Sequence, residues 1–255
     1  MVGFADLVDS RLAQAPESWR QGRAMFGGVV AAAALARARE HADGRIPVTM
    51  QLVYSGPVTG PSTVTVTPLS SGRSYTSVRS SIHEGDKLRC SADVCFGVPR
   101  PDTVRMQPPL KADLPDRDSL MEAPFLKGMM PDFLQHFAIR YSGGGLPFTG
   151  SNSSWLAGWC RHRTPAGSAH EALIGLMDAW PTPALSIMTA PHAASTVSWS
   201  LSFVDVPDTV TTDDWFFFDY RCTSAANGHT HNRGRMWDAS GKLVAEGRQL
   251  IAVYG

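Results

Sequence analysis

Residues 26–41 read FGGVVAAAALARAREH, and the first two turns after Phe26-Gly27-Gly28 are apolar on every side. The composition favours a helix, and an apolar circumference marks one that is buried all round rather than lying on a surface. His41-Ala42-Asp43-Gly44 supplies its stop signal. Four strand-like runs follow, at 47–54, 62–69, 74–83 and 87–96. They are separated by Ser-Gly-Pro, Ser-Ser-Gly-Arg and Glu-Gly-Asp, turn-formers too short to hold crossover helices. The strands are therefore expected to be mainly antiparallel neighbours.

From Pro99 to about Asp118 the pattern lapses, and Pro99, Pro101, Pro108, Pro109 and Pro115 stand among scattered charges. Such a segment reads as an extended connector. Beyond it the first order of elements returns. A strand-like run at 154–163 precedes a helical stretch at 170–180, stopped by Pro181 and Pro183, and four more strand-like runs follow at 195–204, 215–223, 228–238 and 242–254. A helix followed by four antiparallel strands, twice, predicts an α+β chain in which each sheet wraps around its own apolar helix. That architecture is a double hotdog. The expected division is 1–99 for the first hotdog, 100–135 for the Pro-rich connector and 136–255 for the second.

Composition narrows the field. The 255 residues carry 23 basic and 23 acidic side chains with no basic stretch, so the electrostatic footprint of a nucleic-acid binder is missing. No apolar run approaches the roughly 18 residues of a membrane span. MVGFADLVDS has acids and no basic n-region, which argues against a secretory signal and for a cytoplasmic location. Cys90, Cys95, Cys160 and Cys222 are scattered without CxxC spacing and read as packed thiols.

Several pieces resemble the acyl-CoA thioesterase II family of double-hotdog enzymes. In the first half these are Phe26-Gly27-Gly28 opening an alanine-rich helix, Tyr54-Ser55-Gly56-Pro57, and Gly72-Arg73-Ser74 leading into a strand. In the second half Leu176-Met177-Asp178-Ala179 is similar to the helix carrying the family's catalytic Asp. The run 195–203 is similar to the strand carrying its Thr, and 243–249 to the last strand, which ends in a catalytic Gln. Residues 237–245 match a turn typical of the family. Val29 departs from it, standing where Gln often follows the Gly-Gly pair, and Trp180 and the insert 142–154 have no counterpart. The resemblance implies hydrolysis of acyl-CoA with Asp178, Thr196 and Gln249 as catalytic residues and no cofactor or metal. A homo-oligomer, a dimer first of all, is also expected.

The residue types suit that chemistry. Asp178 is the only acid in the apolar run 172–180, and desolvation there would raise its pKa toward the range of a general base. Thr196 falls in phase with Ser198, Ser200 and Ser202, so it is expected on their face of the strand. Gln249, with two donors and an acceptor, can hold a water without charge. The backbone N–H groups of Gly27 and Gly28, at the start of a buried helix, are the expected oxyanion donors. The first helix has no acid between Phe26 and Ala38, so one active site per chain is expected, built by both halves.

Rival chemistries have thinner support. There is no G-x-S-x-G elbow. Cys160 beside Arg161, His162 and Arg163 reads as a core thiol, and His229-x-His231 lacks a third metal ligand nearby. Arg73, Arg233, Arg235 and Arg248 are candidates for the phosphates of coenzyme A, with nothing in the charge pattern to choose among them. The Met- and Phe-rich segment 121–137 reads equally as an acyl-tunnel wall or as connector packing. Hydratases and dehydratases acting on acyl thioesters share the fold. They would need a His with an acid near a helix start, and no such His is expected here. A non-catalytic acyl-CoA binder is the other alternative.

Overall fold

The computed structural model describes residues 2–10, 12, 16–106 and 114–254. The chain opens with helix α1 (Phe4–Asp9) and a small hairpin of β1 (Arg20–Gln21) and β2 (Ala24–Met25). Helix α2 (Gly27–Arg39) follows, then β3 (Ile46–Tyr54), β4 (Thr63–Ser71), β5 (Tyr75–Glu84) and β6 (Lys87–Gly97). The second half contains β7 (Phe137–Gly144), β8 (Trp155–His162), helix α3 (Ala169–Asp178), β9 (Ala193–Phe203), β10 (Phe216–Ala226), β11 (His229–Trp237) and β12 (Leu243–Tyr254).

Ten of the strands form one continuous sheet in the order β4-β5-β6-β3-β9-β12-β11-β10-β8-β7, antiparallel at every junction. The two halves join where β3 pairs with β9, Leu52 opposite Trp199 and Val53 opposite Ser198. Each joining strand is the first after its half's long helix, so the halves meet as mirror roles in one topology.

Helix α2 is buried as its sequence requires. Ala31, Ala32, Ala33 and Ala34 have no exposed surface, and their small side chains let α2 lie against both α3 and strands β5 and β6. From the sheet, Ser80 Oγ donates to the Ala34 carbonyl of α2 at 2.8 Å. The two helices run antiparallel. At one end the first residues of α2 meet Asp178, the last residue of α3. At the other, Arg39 Nη2 in the last turn of α2 lies 2.9 Å from Glu171 Oε1 in the first turn of α3.

Three expectations need correction. The second half has six strands of the large sheet, because β7 was not foreseen. Phe137, Ala138 and Ile139 are all buried, so the alternation that betrays a strand is missing there. The cause is the connector, which covers the outer face of this part of the sheet. Leu114 and Leu120 pack on Ala138, Trp159 and Trp215, and Trp159 Nε1 donates to the Pro115 carbonyl at 2.9 Å. This second half of the connector is thus packed against the sheet; Pro108 and Pro109 lie outside the described residues. The third correction concerns phase in β9. Leu250 pairs with Ser198 but Ile251 pairs with Thr196, so Val197 is the extra residue of a bulge. Thr196 therefore leaves the serine face and joins Trp199 and Gln249 on the inner one.

The Arg39–Glu171 pair yields a stability prediction. Glu171 is 3% exposed and burial raises its pKa, with Arg39 opposing the shift. Arg39→Ala should cost about 2 kcal/mol, less than the roughly 3–5 of a fully buried pair because Arg39 is itself partly solvated. Glu171→Gln, which leaves only the more exposed partner unpaired, should cost less. Urea unfolding of both variants gives the comparison, and an equal or reversed order would contradict it.

Candidate active site

Helix α2 begins without the usual protection. Its N-cap is Phe26, no side chain caps it, and no acid lies in its first turn. Uncapped N–H groups and the positive end of the helix dipole make this start a favourable place for negative charge. Asp178 is what the fold delivers there. A Cβ on Gly27 would stand 2.8 Å from Asp178 Oδ2, and a Cβ on Gly28 would meet the Phe26 ring at 2.6 Å and Asp178 Cβ at 3.2 Å. Only glycine at both positions lets the carboxylate lie directly against the helix backbone.

Asp178 keeps a partial opening to solvent. Protein nevertheless surrounds its carboxyl closely, and that burial pushes its pKa up to about 6, against the opposing pull of Gln249 and of the Gly28 N–H. Gln249 Nε2 donates to Asp178 Oδ1 at 3.1 Å. The N–H of Gly27 has no hydrogen-bond acceptor among the described residues, while its carbonyl accepts from Tyr54 Oη at 3.1 Å. Asp178, Gln249, Gly27 and Gly28 are thus brought together as expected. Thr196 shares the inner face with Gln249, one row further along, and makes no hydrogen bond to Asp178 or Gln249.

The surroundings contain polar groups that pattern reading did not single out. Tyr220 on β10 donates its hydroxyl to Gln249 Oε1. Asn232, opposite Gln249 on β11, donates to the Thr230 hydroxyl at 3.0 Å and to the Gln249 carbonyl at 3.4 Å, and accepts from Thr182 Oγ1 at 3.3 Å. These residues were legible only as alternate positions of strands. What marks Tyr220 in the structure is the glycine row to one side of it, where Gly234 on β11 pairs with Tyr220 and Gly247 on β12 pairs with Gly234. On the far side of Gln249 a gap bounded by Met177, Trp199, Phe218, Tyr220, Gly234 and Gly247 is too narrow to seat a water.

The rival groups stand elsewhere. Cys160 is buried, accepts from Trp180 Nε1 at 3.3 Å, and is pushed by burial to a pKa of about 12. His229 and His231 are exposed on β11, and no three His, Cys, Asp or Glu side chains among the described residues gather as metal ligands. One His does stand near a helix start, His170 as the second residue of α3. It sits at the opposite end of the helix pair from Asp178, against the Phe203 ring at 5.0 Å, and burial and Arg39 hold its pKa down to about 4. The 121–137 segment closes over the start of α2 only in its last part, where Phe133 stacks on Phe26 at 4.1 Å. Met121 and Met129 remain exposed.

Comparison with known proteins bears on the fold and the family. No curated protein matches the chain in sequence. A hot-dog-fold protein of Alicyclobacillus acidocaldarius superposes with a TM-score of 0.84 at 20% identity, covering 95% of this chain and 92% of its own. The tesB protein of Mycobacterium avium subsp. paratuberculosis gives 0.78 at 21% identity, over 99% of this chain and 100% of its own. The acyl-CoA thioesterase II TesB2 of Mycobacterium marinum gives 0.73 at 20% identity, over 90% and 89%. At such identities these likenesses establish the fold. Family models go further: residues 15–97 match the acyl-CoA thioesterase N-terminal domain and residues 108–253 its C-terminal domain. With both halves matched in order and more than half of its length under one model, the chain belongs to the acyl-CoA thioesterase family.

Proposed function

We propose that this thioesterase hydrolyses acyl-CoA by direct attack of a water that Asp178 activates at the start of α2. The observation that carries the reading is the placement of Asp178: a desolvated carboxylate with a raised pKa, one oxygen bound by Gln249 and the other turned toward Gly27. As the water oxygen bonds to the thioester carbonyl carbon, Asp178 takes its proton. Gln249 holds the carboxylate, and its remaining amide hydrogen is available to the water. Thr196, on the same inner face, is the third member of the water clamp. The carbonyl oxygen gains negative charge and is met by the N–H groups of Gly27 and Gly28. The Gly28 N–H, which favours charged Asp178 in the resting site, becomes free to serve the oxyanion once that carboxylate is neutralised. Collapse of the tetrahedral adduct breaks the C–S bond, and the proton on Asp178 goes to the departing thiolate, leaving free acid and coenzyme A. The separation of His170 from this end of the helix pair speaks against a hydratase reading of the same site.

Asp178→Asn keeps the shape and removes the base, so turnover should fall by about 10²–10⁴-fold with little change in acyl-CoA affinity. In the wild type the rate should decline as pH drops through about 6, where Asp178 takes up its proton. The same substitution should stabilise the fold. A carboxyl whose pKa is raised on folding favours the folded state most when protonated, and this contribution is lost as pH rises through the folded value. The thermal midpoint of Asp178→Asn should therefore exceed that of wild type most above pH 6, with the gap closing as pH falls toward the ordinary Asp range. Thiol release from acyl-CoA and thermal melts across pH measure both effects. Undiminished turnover by Asp178→Asn would sink the reading.

Gly27→Ala tests the close approach. Its backbone is not left-handed, so alanine strains nothing locally, yet the added methyl meets the carboxylate at 2.8 Å. At least about tenfold loss of kcat is expected from the displaced base, with a melting curve close to wild type. A variant with wild-type kcat would show that the carboxylate does not work in this position.

A further inference from the structure

Resting on the water-clamp reading above, we infer that Tyr220 is a positioning residue that fixes which end of the Gln249 amide faces Asp178. A primary amide has two ends of nearly equal shape and opposite polarity. With its NH₂ toward Asp178, Gln249 stabilises the carboxylate; reversed, it would set a carbonyl oxygen against a negative charge. Nothing in the shape of the side chain chooses between these. A donor on the far side does. The Tyr220 hydroxyl donates to Gln249 Oε1, which leaves Nε2 for Asp178 Oδ1 at 3.1 Å. It is the only side-chain donor to Oε1 among the described residues, since the amide of Asn232 is used on Thr230 and on the Gln249 main chain.

The reach of Tyr220 is a built feature of the sheet. Tyr220 lies on β10 and Gln249 on β12, with β11 between them, a span of about 9–10 Å for two interstrand steps. Tyr220 is paired with Gly234, and Gly234 with Gly247. A side chain at 234 would stand in the way: its Cβ would be 2.5 Å from the Phe218 ring and 3.4 Å from the Tyr220 ring. The missing side chain on the middle strand opens the path by which a phenol from one strand meets an amide two strands away. Tyr220 is 2% exposed, so no bulk water competes for the Gln249 oxygen. Burial and the neighbouring charge of Asp178 push the phenol well above its ordinary pKa, which keeps it a proton donor at every working pH. The phenol does not touch the place assigned to the reacting water; it acts through Gln249.

Tyr220→Phe removes one oxygen and keeps the ring beside Phe218. The expected result is a fall in kcat of about tenfold with KM little changed, and an upward move of the acid limb of the pH–rate profile by about half a unit or more, because Asp178 loses a fixed donor. In a Gln249→Ala background, Tyr220→Phe should change neither kcat nor the limb further. A merely structural tyrosine would lower both backgrounds alike and leave the limb where it was. If Tyr220→Phe does not fold, as thermal melts would report, Gly234→Ala takes its place: it retains the phenol, pushes it and Phe218 aside, and should move the limb the same way. An unmoved limb in a folded variant, or an undiminished effect in Gln249→Ala, overturns the inference. Asp178→Asn measured alongside separates the two levels, since full turnover there refutes the water clamp itself, whereas a dead Asp178→Asn with a silent Tyr220→Phe refutes only the role of Tyr220.

Discussion

The contact on which the molecule is organised is the one between the first residues of α2 and the last residue of α3. A carboxylate can lie against a helix backbone only if no side chain intervenes, and Gly27 and Gly28 are what remove the obstruction. The rest follows from holding that contact in place. Antiparallel packing of the helices sets the end of α3 beside the start of α2, and the alanine-rich surface of α2 lets the two axes approach. The sheet screens the pair from water, which strengthens every electrostatic interaction inside and makes the charge on Asp178 costly. The fold and the raised pKa of the carboxyl therefore have a common origin in close packing.

Much of this was legible in the chain. The apolar circumference of residues 29–36 announced a helix enclosed on all sides, and short turns between strand-like runs required antiparallel neighbours. Asp178 stood out as a lone acid in an apolar stretch, and its raised pKa has the cause that stretch implied. Other parts were hidden for identifiable reasons. Strand β7 could not be read because Phe137, Ala138 and Ile139 are covered on both faces, the outer one by a connector segment far from them in pattern. Thr196 was assigned to the wrong face because periodicity assumes an unbroken ladder, and the bulge at Val197 breaks it. Tyr220 was invisible because its significance depends on Gly234 and Gln249, which only register brings into one row or its neighbour.

Polar groups mark both ends of the helix pair. Around Asp178 a chain of donors runs from Tyr220 through Gln249, flanked by Asn232, Thr230 and Thr182. At the far end of the helices Arg39 and Glu171 answer one another. Between these ends the shared face of α2 is alanine and valine. Buried polar groups are tolerable when satisfied, and around Asp178 the bonds from Tyr220 to Gln249, from Gln249 to Asp178 and from Thr182 to Asn232 each join two different elements. The same bonds that remove the penalty also hold strands β10, β11 and β12 in register under the site.

The pairing of β3 with β9 makes two unlike halves into one sheet, and this has a consequence for how a hotdog can carry a buried charge. In a dimer of identical subunits, symmetry repeats every residue, so an acid at one helix end brings a second acid at the other. Here the two helices are free to differ. One contributes the glycine start and ends in Arg39; the other carries Glu171 in its first turn and ends in Asp178. The destabilising carboxylate occurs once, and the equivalent end of the pair is given to an attraction between opposite charges. Unlike halves in one chain thus set a carboxyl of raised pKa at one end of the helix pair and an ion pair at the other.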